Sequence, residues 1–304
     1  MRVGVPRHFL RLADRTPEEH RALLARARAL KAARRPGRRE ETLAGRTLGL
    51  LFEKPSTRTR VSFEVAMIEL GGAAVTLPAA ESQLPRGETA EDTARVLSRY
   101  LHGIVLRTFG DDRLAAFARA ATVPVINGLS DGAHPVQLLA DVFTLHERFG
   151  RTEGLGVAFL GDGAGNVARS WIEAARLFGF ALRLAAPEGF RPPGDEAAAA
   201  GEHLSVTDRP AEAVQGADVI ATDVWTHMGR EAEQAARRAA LAPFAVTSAL
   251  AALAAPNHVI LHCLPAHRGE EIAAAVLDGP HSAVLDEAEN RLHVQKALLE
   301  ETIG

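Results

Sequence analysis

Short apolar runs and amphipathic stretches alternate along the chain, and that alternation predicts its elements. Thr47–Phe52, Ala73–Leu77, Gly103–Arg107 and Val123–Asn127 read as buried strands, with helical patterns beginning near Ser56, Thr89, Asp111 and Ala133. The alternation then restarts: Gly156–Leu160, Ala181–Ala186, Leu204–Thr207, Asp218–Thr222 and Val259–His262 form a second set of strands, interleaved with helices such as Asn166–Phe178. A further helix runs to Ala33, with Thr16 as its N-cap and Pro17 in its first turn, and Glu287–Ile303 is amphipathic. Phe190–Asp195 reads as a turn and Ala197–Ala200 as helix. Strands alternating with covering helices mark parallel sheets. The expected class is therefore α/β, with two doubly wound parallel-sheet domains. The first spans 1–148, the second spans 149–286, helix 287–304 packs back on the first, and Ala133–Phe149 bridges the two.

Composition narrows the class without naming a function. The chain has 304 residues, 47% hydrophobic and 24% charged, which suits a globular protein with a sizeable core. A net charge of -3 gives no reason to expect nucleic acid or an anionic membrane, and the cluster Arg34-Arg35 with Arg38-Arg39 reads as a solvated turn. Cys263 is the single cysteine, so no internal disulfide forms. Met1–Pro6 lacks the apolar core of a signal peptide, and no run approaches membrane-spanning length; the expected location is cytoplasmic.

Candidate chemistry gathers just past the strand ends, where open parallel sheets bind their ligands. Ser56-Thr57-Arg58-Thr59-Arg60 leads into a helix, so hydroxyls and guanidinium groups join the unpaired N–H groups of its first turn. Such a turn suits a phosphate, although Ser56 or Thr57 could serve as an N-cap alone. Arg107 ends a strand, and His134 with Gln137 opens a helix. Thr59, Arg107, His134 and Gln137 together offer donors for a carbonyl oxygen beside that phosphate, which implies an acyl phosphate. Gly161-Asp162-Gly163-Ala164-Gly165-Asn166, followed by Glu188, resembles a dinucleotide fingerprint, but Asn166 occupies the position of the third glycine. Asp223 ends a strand, where its carboxylate suits an ammonium group or simply makes a turn. His262-Cys263-Leu264-Pro265 lacks the spaced partners of a structural zinc site.

Taken together, these pieces resemble the aspartate/ornithine carbamoyltransferase family over nearly the whole chain. The resemblance is carried by Ser56–Arg60, Gln83 with Arg86-Gly87-Glu88, Arg107-Thr108, His134–Gln137 with Ala140-Asp141, Asp223-Val224-Trp225 with Met228-Gly229, His262–Pro265, and Glu287–Arg291. Asp223 and the His-Cys-Leu-Pro run point to the ornithine-using branch, where an acidic residue matches an α-ammonium. The resemblance implies an active site in the cleft between the two domains. In it, Ser56, Thr57, Arg58 and Thr59 with Arg107 bind phosphate, and Thr59, Arg107, His134, Gln137, Cys263, Leu264 and Arg291 bind the carbamoyl group. Arg107, His134 and Cys263 take the catalytic roles. Asn166, Asp223, His227 and Met228 bind ornithine, with Cys263 and Leu264 near the attacking amine. Gln83 lies on a loop that in relatives reaches the neighbouring subunit, which implies self-association as a trimer or a multiple of one. No metal or organic cofactor is implied.

The implied reaction is attack of the uncharged δ-amine on the carbamoyl carbon, releasing citrulline and phosphate, with a phosphate oxygen as proton acceptor. His227, Gly165 and Pro85 depart from the family pattern of serine, asparagine and glycine. The first two lie on the amino-acid side, so putrescine or N-acetylornithine stays open as an alternative acceptor. A non-catalytic carbamoyl phosphate-binding member and a nicotinamide-dependent dehydrogenase are the more distant alternatives.

Overall fold

The computed structural model describes residues 6–34, 40–78, 83–226 and 231–304. These divide into two compact units, one built from the residues up to Leu139 together with Asn290–Gly304, the other from Ala140–Glu289.

In the first unit β1 (Thr47–Phe52), β2 (Ala73–Pro78), β3 (Gly103–Arg107) and β4 (Val125–Leu129) form a parallel sheet in the order β2-β1-β3-β4. β3 is buried along its whole length and β1 in all but its first residue, whereas β2, at the edge, alternates between half-buried and exposed positions. The chain leaves β1 toward β2 on one side and returns to β3 on the other. The loops after β1 and β3 therefore diverge, leaving a crevice at the carboxyl end of the sheet. β4 begins two residues later than the apolar run predicts. Pro124 has no N–H to donate, and the next N–H, of Val125, goes to the His8 side chain, to Nδ1 at 3.1 Å. The strand also runs two residues beyond Asn127, where the apolar run ends. The register slips beside Leu106 and Arg107, so Gly128 is the extra residue of a bulge. A Cβ on Gly128 would lie 2.9 Å from Val105 Cγ1, and this close approach explains the glycine.

Helices of this unit are set by their first turns. α1 (Pro17–Ala33) opens on a capping box: Thr16 Oγ1 accepts from Glu19 N–H at 3.3 Å, and Glu19 accepts from Thr16 N–H at 2.8 Å. α2 (Thr57–Glu69) is capped by Ser56, whose Oγ accepts from Thr59 N–H at 3.3 Å. α3 (Ala90–Leu97) is capped by Thr89 in the same way, and α4 (Asp111–Ala120) precedes β4. α5 (Pro135–Phe149) follows β4, and the division between the units falls inside it. The chain ends in α12 (Val284–Ile303), which is likewise divided, between Glu289 and Asn290. Its later turns join the first unit: Lys31 donates to Asn290 Oδ1 at 2.7 Å, Arg26 grips Glu300 at 2.6 and 2.8 Å, and buried Lys296 meets Glu69 at 3.0 Å.

The second unit holds β5 (Gly156–Leu160), β6 (Ala181–Ala185), β7 (Leu204–Thr207), β8 (Val219–Thr222) and β9 (Val259–His262), parallel in the order β7-β6-β5-β8-β9. Its crevice lies between β5 and β8, where the order reverses. α6 (Asn166–Phe178) covers the sheet and buries Trp171 edge-on to Phe180, ring centroids 5.5 Å apart. α7 (Gly194–Ala200) starts inside the stretch read as a turn, three residues earlier than expected. The short helices α8 (Pro210–Val214), α9 (Gln234–Leu241), α10 (Ser248–Ala251) and α11 (Ala274–Leu277) complete the unit. Two parallel sheets covered by helices are the α/β architecture that the hydrophobic pattern predicts. No helix among the described residues is long and apolar enough to cross a membrane.

Candidate active site

The first crevice collects positive charge. Ser56 and Thr57 stand at the start of α2, Thr59 is 1% exposed one turn in, and Arg107 is buried at the end of β3. Arg291, from α12, donates to Thr59 Oγ1 at 2.5 Å and to Gln137 Oε1 at 2.7 Å, and so ties α2 to α5. His134 lies at the centre. Its burial, then the fields of Arg291, Arg107 and Arg58, push its pKa well below the ordinary histidine range. At neutral pH the imidazole is therefore uncharged, and the three guanidinium groups around it are not offset by a carboxylate among those causes. Arg58 Nε is buried and has no hydrogen-bond acceptor among the described residues. Three cations, two hydroxyls and the N–H groups of a helix start make a receptor for a dianion, with a neutral imidazole beside it as donor to a carbonyl.

Two residues outside the predicted set brace this crevice. Lys54, almost wholly buried after β1, donates to Asp131 Oδ1 at 2.6 Å and stands 4.2 Å above the Phe109 ring. The other oxygen of Asp131 accepts from Gly110 N–H at 2.8 Å, so the loops after β1, β3 and β4 are laced together. Arg60 turns away: it is exposed and meets Glu64 at 3.7 Å. Gln83 is also exposed, its amide oxygen accepting from Arg86 at 3.3 Å, so it does not join the group around His134.

The second crevice carries a buried carboxylate. Asp223 follows β8, is 8% exposed, and accepts from Val224 N–H at 2.8 Å and from the Cys263 thiol at 3.1 Å. Burial first, then the charge of Asp223 and the bond to it, raise the Cys263 pKa well above its ordinary value, so the sulfur carries its proton at neutral pH. Asn166 is buried in the first turn of α6. Leu264 holds a left-handed conformation, φ +55°, next to a cis peptide bond to Pro265. His227 and Met228 lie outside the described residues.

Donor atoms of Asp223, His262 and Cys263 fall within 4.8 Å of one another. They do not make a ready metal site. The thiol donates to Asp223, and the two ring nitrogens of His262 are engaged by Leu264 N–H and Glu271. The glycine turn after β5 has a packing explanation as well. A Cβ on Gly163 would meet Phe190 O at 2.9 Å, and the Asp162 carboxylate is closed by a buried ion pair with Arg237. Neither feature requires a dinucleotide.

Two family models cover almost the entire chain. The one described as the carbamoyl-P binding domain of aspartate/ornithine carbamoyltransferase matches residues 7–147, and the one described as the Asp/Orn binding domain matches residues 153–302. The chain belongs to the aspartate/ornithine carbamoyltransferase family. Among its relatives in that family, ornithine carbamoyltransferase of Halorhodospira halophila is 53% identical over 97% of this chain and 98% of its own length. The anabolic ornithine carbamoyltransferase of Pseudomonas aeruginosa is 52% identical over 97% and 96% of the two chains. The solved structure of ornithine carbamoyltransferase from Pyrococcus furiosus superposes with a TM-score of 0.92 at 47% identity, covering 99% of this chain and 98% of that one.

Within this family frame, the structure brings Thr59, Gln137 and Arg291 into direct contact and places Arg58, Arg107 and Arg291 around His134. It joins Asp223 to Cys263 in the other unit. Lys54 and Asp131 escaped notice in the sequence because nothing local distinguishes them; a lysine two residues past a buried strand, at a carboxyl end, is the one available signal.

Proposed function

We propose that this carbamoyltransferase moves the carbamoyl group of carbamoyl phosphate to the δ-amine of L-ornithine, giving L-citrulline and phosphate. The observation that carries the phosphate half is the neutral His134 among Arg58, Arg107 and Arg291. Asp223 supports the ornithine half, since a carboxylate pairs with the α-ammonium, and the relatives at 52% and 53% identity bear that name.

On this reading Ser56, Thr57, Arg58 and Thr59 with Arg107 hold the phosphate, and Arg107, His134 and Gln137 donate toward the carbamoyl group. The δ-nitrogen, once deprotonated, forms its bond to the carbamoyl carbon, and the carbonyl electrons move onto oxygen. Collapse of that intermediate breaks the bond to the phosphate oxygen, and phosphate takes the proton from nitrogen. Arg107 and His134 stabilise the oxyanion, and because His134 is uncharged it donates without entering the proton transfer. Asn166, Asp223, His227 and Met228 bind ornithine, and Cys263, as a thiol, lies beside the attacking amine with Leu264.

Self-association as a trimer or a multiple of trimers fits the exposed apolar residues Val61 and Ile68 on α2 and Val75 on edge strand β2. The exposed Gln83 then serves a neighbouring copy. A cytoplasmic enzyme of arginine synthesis completes the reading.

His134→Ala tests the oxyanion role. Losing one such donor costs about 2.7–4 kcal/mol, so citrulline formation falls about a hundredfold or more in kcat. A near-wild-type rate in steady-state assays sinks the assignment.

A further inference from the structure

We infer that Glu271 is a positioning residue for carbamoyl transfer, acting through His262 on the Cys263–Leu264 segment. The inference rests on the reading above, in which that segment lies beside the attacking amine. Glu271 is wholly buried, and its Oε1 accepts twice, from His262 Nε2 at 3.2 Å and from His267 N–H at 2.5 Å. One carboxylate oxygen thus holds both ends of the turn from Cys263 to Ala266. His262 carries the effect inward. Its Nδ1 accepts from Leu264 N–H at 2.9 Å, so the neutral ring bears its proton on Nε2, where Glu271 takes the hydrogen bond. The backbone of His262 is anchored separately, its N–H donating to Glu287 Oε2 at 2.9 Å.

Leu264 needs this support. A non-glycine residue in the left-handed region costs about 1–3 kcal/mol and persists where its surroundings over-determine it. Here the determinant is the bond from Leu264 N–H to a ring whose tautomer and tilt are set by Glu271. Releasing the turn rotates the peptide groups of Cys263 and Leu264, and a misplacement of about 1 Å near the reacting atoms can cost a hundredfold in rate.

The test compares Glu271→Ala, Glu271→Gln, His262→Asn and His262→Gln. Steady-state citrulline formation, thermal unfolding and binding of inorganic phosphate are measured for each. Glu271→Ala is expected to lower kcat about a hundredfold. Its phosphate dissociation constant should stay within about threefold, since on this reading phosphate is held by Ser56 to Thr59 and Arg107 and not by the Cys263–Leu264 segment. Glu271→Gln keeps an acceptor oxygen for both bonds and should return kcat to within about tenfold of wild type. His262→Asn places an oxygen where Nδ1 accepts from Leu264, whereas His262→Gln places its amide nearer Nε2 and leaves that N–H unpaired; the Asn variant should therefore be at least about tenfold faster. A folded Glu271→Ala within threefold of the wild-type kcat overturns the inference. If Glu271→Ala does not fold, equal rates for the two His262 variants overturn it. A wild-type enzyme that forms no citrulline contradicts the proposed function itself, which separates the two failures.

Discussion

Arg58→Gln is expected to lower kcat/KM for carbamoyl phosphate by about thirtyfold to several thousandfold, because truncating one partner of a buried charged hydrogen bond costs about 2–5 kcal/mol. Arg58 stands in the second position of α2, where the helix start adds its own attraction for an anion. Its buried Nε has no acceptor among the described residues, which leaves it for a ligand oxygen. The loss should appear in KM for carbamoyl phosphate and in the dissociation constant of inorganic phosphate, with the KM for ornithine moving little. Arg60→Gln is the matched control. Arg60 lies two residues away but is exposed and loosely paired with Glu64, an arrangement worth about 0–1 kcal/mol, so its replacement should change kcat/KM by less than about fivefold. Equal losses in the two variants would show that the motif acts through bulk charge rather than through a built phosphate site.

Asp223→Asn is expected to act on the other half of the reaction. A hydrogen bond to a charged group contributes about 1.5–3 kcal/mol, so KM for ornithine should rise about tenfold to 150-fold while KM for carbamoyl phosphate holds. The same substitution has a second readout, in the thiol. Burial is the largest cause of the raised Cys263 pKa and remains in the variant; the Asp223 charge, the next cause, is removed, while the amide oxygen of asparagine still offers the thiol an acceptor. The thiolate, the reactive form, should therefore appear at lower pH than in wild type, though still above the range of a free cysteine. Alkylation by iodoacetamide, followed from neutral to alkaline pH, reports this directly. An unchanged profile would mean that Asp223 does not set the charge state beside the amine, whatever its effect on KM.

The fold was legible where burial alone selects the residues. β1, β3, β5 and β9 have the bounds that the apolar runs predict, since each is buried along all or nearly all of its length. The pattern failed where a hydrogen-bonding detail intervenes. Pro124 sits inside an apolar run but cannot donate, and the bulge at Gly128 extends β4 through residues that resemble a turn. α12 begins at Val284, three residues before the amphipathic stretch, because Ala283 O is already taken by Glu287 N–H.

The candidate site shows the same division. Ser56 to Thr59, Arg107, His134 and Gln137 could be read from position alone, as polar residues just past strand ends. Arg291 could not. It lies far along the chain in a helix, and only the family resemblance named it before the structure put its two donors on Thr59 and Gln137. Asp162 with Arg237 and His262 with Glu271 were equally hidden, because a buried ion pair or hydrogen bond between residues far apart or in a loop leaves no periodicity along the chain. Gln83, named from the same resemblance, stays with Arg86 and awaits a test in the assembled enzyme.

The choice of amine acceptor bears most directly on the proposed function, because Gly165 and His227 depart from the family pattern on that side. Purified enzyme with carbamoyl phosphate is offered L-ornithine, N-acetylornithine, putrescine and L-aspartate in parallel, and the ureido product of each is quantified. Ornithine should give citrulline and phosphate in equal amounts with the highest kcat/KM of the four, and faster carbamoylation of any of the other three would contradict the assignment.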